Sequence, residues 1–205
     1  RIALTLGLDP DTTLGELTEQ FRDQTDEKGY EEPTVVADGP VLENVDEGDD
    51  VDVTKFPTPK WHELDGGRYI GTADIVVTRD PVDGWVNFGS YRSMIHTEDE
   101  VGMMSSPGKH GREHMDKYHE RGEACPIAIV CGVNPELYWV SGTEVPRGKS
   151  EYAYAGWWRD EPVEVVESEV TGLPIPAHAE VVLEGVIEPG NTRMEGPLGE
   201  WTGYY

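Results

Sequence analysis

Two carboxylates, Glu195 and Glu200, lie in the closing run Met194-Glu-Gly-Pro-Leu-Gly-Glu-Trp-Thr-Gly-Tyr-Tyr205. Gly196, Pro197 and Gly199 rule out a helix, so the pair sits on a tight loop whose backbone can approach a ligand closely. Carboxylates in unlike surroundings divide labour: one stays ionised and orients a cation, the other keeps a proton and delivers it. Arg92 could clamp a carboxylate, because a guanidinium grips one through two parallel hydrogen bonds. Asn87, on the same stretch, offers a carbonyl oxygen. Beside a carboxylate from a helix start, such as Glu151, it suits a hard divalent ion. Ser141-Gly142-Thr143 adds hydroxyls and open backbone able to hold a phosphate or a ring edge. Each group also has a plainer reading, as a solvated acidic turn, a surface salt bridge or a strand asparagine facing water.

His110-Gly-Arg-Glu-His114 fits the inverted zinc-peptidase pattern of two histidines four apart with a glutamate before the second. That chemistry needs both imidazoles on one helix face. Pro107-Gly108 before the motif and Gly111 inside it argue against regular helix at His110, and surface side chains are the expectation for His114 and His119. Cys125 and Cys131 share one apolar run. On a strand they lie roughly 20 Å apart, too far for a disulfide or a shared metal, and read as buried thiols.

The elements that must position these groups are mixed α and β, with β dominant, since 24 glycines and 15 prolines imply many turns and short strands. Thr13 and Glu16 form a capping-box pair, and Leu14, Leu17 and Phe21 recur at helical spacing, which predicts a helix from about Thr13 to Gln24. The acidic arm from Asp26 to Asp52 has little periodicity and is expected to wrap over a surface that this chain alone does not contain. Phe56-Pro-Thr-Pro-Lys60 is extended. Strands from Tyr69 to Thr78 and from Trp85 to Ile95 flank the turn Asp80-Pro-Val-Asp-Gly84 and read as a hairpin. Further elements are a short helix from about Arg112 to Arg121 and a buried strand from Pro126 to Cys131. A helix opened by Asn134-Pro135 runs to about Val140, and another capped by Ser150 to about Ala155. Strands from Val163 to Ser168 and from Glu180 to Ile187 complete the set. On a flat strand Asn87 and Arg92 face opposite sides, so both reach one site only with a bulge or strand end between them, and Gly89 is the place for it.

At 205 residues and 37% hydrophobic, the chain can fill one good core. With 41 acidic against 16 basic residues and a formal charge of -25, it lacks the basic surface that nucleic acid or an anionic membrane demands. No apolar run approaches the roughly 20 residues of a membrane span, and no signal peptide opens the sequence, so a cytoplasmic protein is expected. The absence of an initial methionine and the stop directly after the glutamate loop suggest a piece of something longer.

Several segments together resemble the UbiD-like decarboxylases, which use prenylated FMN for reversible decarboxylation of unsaturated or aromatic acids. They are Gly48-Asp-Asp-Val-Asp-Val53, Phe56-Pro-Thr-Pro59, Asp65-Gly-Gly-Arg-Tyr-Ile70, Asp80-Pro-Val-Asp-Gly-Trp-Val-Asn-Phe-Gly-Ser-Tyr-Arg92, Pro146 through Gly156, Pro176-Ala-His-Ala-Glu-Val-Val-Leu-Glu-Gly185 and the glutamate loop itself. The resemblance implies an α+β, mainly β fold: a split β-barrel of the FMN-binding flavin-reductase type with short flanking helices. Residues 1–60 would be the end of an N-terminal region with its acidic arm, residues 61–205 the cofactor-binding barrel, and a C-terminal oligomerisation domain would lie outside the chain. It also implies a manganese or magnesium ion on Asn87, His110 and Glu151, with potassium nearby. Flavin-binding segments would be Ser90-Tyr91-Arg92, His110-Gly111-Arg112 and Ser141-Gly142-Thr143. Arg92, Glu195 and Glu200 would be the catalytic set, Glu200 the proton donor. Leu198 stands where many relatives carry Phe or Tyr. Implied partners are a small carboxylic acid, a flavin prenyltransferase supplying the cofactor, and further copies of the full-length protein. A plain FMN-dependent reductase on the same barrel, or a binding fragment inactive without the further domain, are the competing expectations.

Overall fold

The structure, a computed structural model, describes residues 2–27 and 29–205. Its elements in chain order begin with α1 (Ile2–Thr5), α2 (Leu14–Glu27), β1 (Thr34–Val35), β2 (Arg68–Gly71), β3 (Ile75–Arg79), β4 (Val86–Gly89), β5 (Ser93–Ile95) and β6 (Val101–Met103). They continue with α3 (His110–Glu120), β7 (Cys125–Cys131), α4 (Pro135–Ser141), α5 (Glu151–Arg159), β8 (Glu164–Glu167), β9 (Pro174–Pro176) and β10 (Val181–Ile187). The fold is mixed α+β, and the described strands pair as three sheets, ordered β1-β8-β9, β10-β7-β3-β4 and β2-β5-β6, none of them a closed barrel.

Local chemistry places the helix starts. Thr13 and Glu16 exchange backbone-to-side-chain bonds at the head of α2, Thr13 N donating to Glu16 Oε2 at 2.8 Å and Glu16 N to Thr13 Oγ1 at 3.3 Å. The side chain of Phe21 lies outside the described residues. Ser150 Oγ accepts from Tyr152 N at 3.1 Å and starts α5, which runs four residues past the expected end at Ala155.

The four-stranded sheet is buried on both faces, which is why its strands read as continuous apolar runs rather than alternating ones. Ile75, Val77, Phe88, Ala128 and Val130 face a core shared with α4, α5, β8 and β9. Val76, Ile127 and Ile129 face the opposite way and pack with Tyr91, Val101 and Met103. Each buried side chain of this size contributes roughly 1.5–3 kcal/mol. Both cysteines are free thiols, and burial pushes each pKa up to about 12.

The expected long hairpin is broken at matching points on both arms. Its first arm divides into β2 and β3 and its second into β4 and β5, so the outer halves join one sheet and the inner halves another. Gly71 and Asp74 mark the first break, where a Cβ on Gly71 would lie 2.2 Å from Asp74 Oδ2. The second break, between Gly89 and Ser93, settles the facing of Asn87 and Arg92 by a strand end. The register shift lies instead across Tyr69 and Gly71.

The acidic arm wraps over this chain's own surface. Thr34 N donates to Val163 O at 2.9 Å, Val36 N to Val165 O at 2.8 Å and Val41 N to Ala177 O at 3.1 Å, adding β1 to the edge of β8.

Asp74 is 1% exposed, accepts one bond from Ser93 Oγ at 3.0 Å, and leaves Oδ1 without a partner. Burial raises its pKa from 3.8 to about 6. The folded pKa lies above the unfolded one, so the group costs nothing below pH 4 and its full penalty is reached above pH 6. The stability advantage of Asp74→Asn over the parent is therefore expected to grow by about 2 kcal/mol between pH 4.5 and pH 7.5. Urea denaturation at the two pH values checks this, and a constant gap would refute it.

Candidate active site

Arg92 and Glu195, 103 residues apart in sequence, form a bidentate pair: Nε donates to Oε1 at 2.8 Å and Nη2 to Oε2 at 2.6 Å. Oε1 also accepts the Tyr69 hydroxyl at 2.7 Å. Tyr69 is 1% exposed, and burial, reinforced by Glu195, pushes its pKa up to about 12. Its hydroxyl therefore stays a donor through the neutral range. The Glu195 side chain is 17% exposed and that of Arg92 30%, so the pair is only partly open to solvent.

The loop carrying Glu195 is held from below by the segment before β2. Gly66 N donates to Pro197 O at 2.8 Å, and Gly199 N donates to Asp65 Oδ1 at 2.7 Å. Asp65 Oδ2 accepts from His62 N at 2.8 Å, so the 3%-exposed carboxylate ties two loops together. Gly66 is required by contact, because a Cβ there would lie 1.9 Å from Gly196 O. Gly196 is required by conformation, with φ at 82°. Glu200 lies further along this loop with an exposed side chain. Its backbone is closed into a turn by Glu200 N donating to Tyr204 O at 2.7 Å and Gly203 N to Glu200 O at 2.8 Å. It is close enough to Arg92 to raise that guanidinium's pKa, behind the larger effect of Glu195.

A second group of candidates gathers around β4. Asn87 is 3% exposed, and its Nδ2 has no partner. Glu151, also 3% exposed, accepts from Phe88 N at 2.9 Å and faces no cation among the described residues. Burial raises its pKa to about 7. Tyr91 turns into the core behind them and accepts from Gly111 N at 3.2 Å, which ties the start of α3 to the β4–β5 break. Ser90 N donates to Ser141 O at 3.3 Å, drawing the Ser90 and Ser141 segments together. Ser141 Oγ and Thr143 Oγ1 donate back to Tyr138 O and Trp139 O, closing α4, while Gly142 is exposed. Arg112 pairs with Asp116 on its own helix at 2.8 Å.

The histidine motif departs from expectation. α3 begins at His110 itself, so Gly111 does not prevent helix there. His114 is not a surface residue: it is 0% exposed, shares a 3.0 Å bond with Thr78 Oγ1, and burial lowers its pKa to about 4. Glu113, the catalytic base of a zinc peptidase in that pattern, is instead paired with Arg147. Among the described residues no three His, Cys, Asp or Glu side chains converge as a metal-binding group. His119, half-buried, bonds Ile187 O at 3.0 Å.

A cavity of about 1400 Å³ lies between the acidic arm and β6, β7 and β10. Arg112 and Glu195 reach its wall, whereas Asn87, Arg92 and Glu151 are not among the residues lining it. Tyr69 and Asp65 were not singled out from sequence. Asp65 had a signal in the Asp-Gly-Gly step before a strand, whereas nothing local marks Tyr69 as the third partner of an arginine–glutamate pair.

Ionisable side chains with raised or lowered pKa, grouped around rigid backbone, make this a candidate active site. Residues 34–205 match the family model described as the 3-octaprenyl-4-hydroxybenzoate carboxy-lyase Rift-related domain, and the chain belongs to the UbiD family. It is 39% identical over 166 residues to the pyrrole-2-carboxylic acid decarboxylase of Pseudomonas aeruginosa, covering 81% of this chain and 34% of that protein. Against ferulic acid decarboxylase 1 of Saccharomyces cerevisiae the identity is 33% over 208 residues, covering 100% of this chain and 41% of that one. Among solved structures, the closed form of vanillic acid decarboxylase from Sedimentibacter hydroxybenzoicus superposes with a TM-score of 0.92 at 34% identity, covering 100% of this chain and 44% of that one. A UbiD-class enzyme from Pelotomaculum thermopropionicum in complex with prFMN gives 0.89 at 28% identity, covering 100% and 46%. The chain thus spans less than half the length of each of these relatives.

Proposed function

We propose that this chain is the cofactor-binding part of a carboxy-lyase that decarboxylates an aromatic, heteroaromatic or α,β-unsaturated acid, reversibly and without oxidation, on prenylated FMN. The observation that carries the reading is the Arg92–Glu195 pair on its pinned loop, together with the buried Asn87 and Glu151 around β4, in a chain of this family. Residues 61–205 are the cofactor-binding domain and residues 1–60 its N-terminal arm. The two sheets joined by the broken hairpin are the halves of a flavin-reductase-type split barrel. The enzyme assembles as a homo-oligomer through parts outside this chain.

The residues present fit the groups this reading needs. Glu151 is a buried carboxylate without a cation, and a divalent ion would supply the missing charge. Asn87, His110 and Glu151 would hold Mn2+ or Mg2+, with K+ nearby. Ser90, Tyr91, Arg92, Gly111, Arg112 and the Ser141-Gly142-Thr143 turn would hold the flavin, the exposed Gly142 leaving backbone open to a ring edge. Prenylated FMN, when bound, supplies the electron sink for the carbon from which carbon dioxide departs. Glu195 keeps the Arg92 guanidinium oriented. Glu200 delivers the proton that replaces carbon dioxide once closure excludes water.

The test is to load the full-length enzyme with prenylated flavin and screen aromatic and acrylic acids for carbon dioxide release and solvent deuterium exchange. Release from at least one acid class is expected. A purified enzyme whose cofactor mass equals unmodified FMN, reduced by a nicotinamide and inert toward every acid, would overturn the reading in favour of a flavin reductase.

A further inference from the structure

We propose that Trp85 is the positioning residue that fixes the three candidate metal ligands relative to one another. The inference rests on the reading of Asn87, His110 and Glu151 as a metal set, and it concerns how three separate elements are held in register. Asn87 is on β4, His110 opens α3, and Glu151 opens α5.

Trp85 touches all three elements. It lies two residues before Asn87, at the head of β4. Its backbone is fixed by the hairpin turn, Trp85 N donating to Asp83 Oδ1 at 3.0 Å and Asp80 N to Trp85 O at 2.8 Å. Its indole Nε1 donates to Lys149 O at 2.9 Å, directly before the Ser150 cap and two residues before Glu151. Its ring packs edge-on against His110, with centroids 4.7 Å apart and planes at 66°.

The ring also packs against His114, at 5.0 Å and 84°, itself locked by Thr78 and buried beside Asp80, which pairs with Lys117. Arg147 lies over the indole at 5.7 Å. A buried tryptophan N–H usually takes a hydrogen-bond partner, and the partner here is the carbonyl directly before the Ser150 cap. That one bond ties the segment before the Ser150 cap to the head of β4, and the ring packs against the His110 imidazole. Groups one step behind a metal ligand typically change metal affinity about 10- to 100-fold when removed.

The test uses Mn2+ titration followed by electron paramagnetic resonance on the full-length enzyme freed of metal, with thermal midpoints measured in parallel. Trp85→Ala is expected to weaken Mn2+ binding by about 10- to 100-fold, and Trp85→Phe, which keeps the edge contact and loses the hydrogen bond, by a smaller factor. Leu173→Ala, a core truncation between β8 and β9, is expected to lower the thermal midpoint and leave Mn2+ affinity at the parent value, separating positioning from general destabilisation. Parent affinity in both tryptophan variants overturns the inference. Should Trp85→Ala not fold, parent affinity in Trp85→Phe alone overturns it. A parent that binds Mn2+ no more tightly than Glu151→Gln sinks the metal reading itself, an outcome distinct from failure at Trp85.

Discussion

In the full-length enzyme Glu200→Gln is expected to lower decarboxylation by about 10²–10⁴-fold, the usual contribution of a positioned general acid, with flavin content equal to the parent's. The substitution is nearly isosteric and keeps hydrogen-bonding capacity, but an amide has no proton to give. Glu200 is exposed, and its turn is closed by backbone bonds to Tyr204 and Gly203 rather than by its carboxylate. The fold therefore has little reason to respond, and an effect on stability within about 0.5 kcal/mol is expected. Flavin retention follows from position, since Glu200 is on the terminal loop whereas the candidate flavin segments are on the β4–β5 break, α3 and the end of α4. Carbon dioxide release, solvent deuterium incorporation and the flavin absorbance of the purified variant report the three quantities separately. Turnover at the parent rate with full flavin would remove Glu200 from the role of proton donor.

What could be read from sequence was mostly what short-range chemistry decides. The capping box of α2, the Ser150 cap of α5 and the Asp80 to Gly84 turn each depend on residues within a few positions of one another. The hairpin's division between two sheets was not legible, because it depends on Asp74 folding back under Gly71 and on Tyr91 turning into a core supplied by β6 and β7. His114 departs from the surface expectation for the same reason. Its burial comes from Thr78 and Trp85, some 30 residues upstream, and a histidine on a polar helix carries no mark of that. The Arg92–Glu195 pair was reached through family resemblance, because no local rule couples residues on separate loops. Tyr69 escaped even that, since an aromatic residue in a strand reads as packing whether or not its hydroxyl has a task.

The arginine–glutamate pair makes a prediction about coupling that sets it apart from an ordinary surface ion pair. Arg92→Lys and Glu195→Gln are each expected to lower kcat/KM by about 100-fold, while their double variant falls by no more than about tenfold further, because groups acting as a unit are lost together. Lysine keeps the charge but cannot make two parallel bonds from Nε and Nη2 positions. The glutamine amide, in turn, presents a donor where Arg92 already donates. The Arg92 side chain is 30% exposed, so the pair contributes at most about 1 kcal/mol to stability. Unfolding midpoints close to the parent's should accompany the kinetic losses. Tyr69→Phe removes one of the three donors on Glu195, leaves the guanidinium fork intact, and is expected to cost about tenfold alone and nothing further in the Glu195→Gln background. If the losses for Arg92→Lys and Glu195→Gln instead multiply in the double variant, the two residues act independently, and the geometry that joins them at 2.6 and 2.8 Å is not the geometry that catalyses.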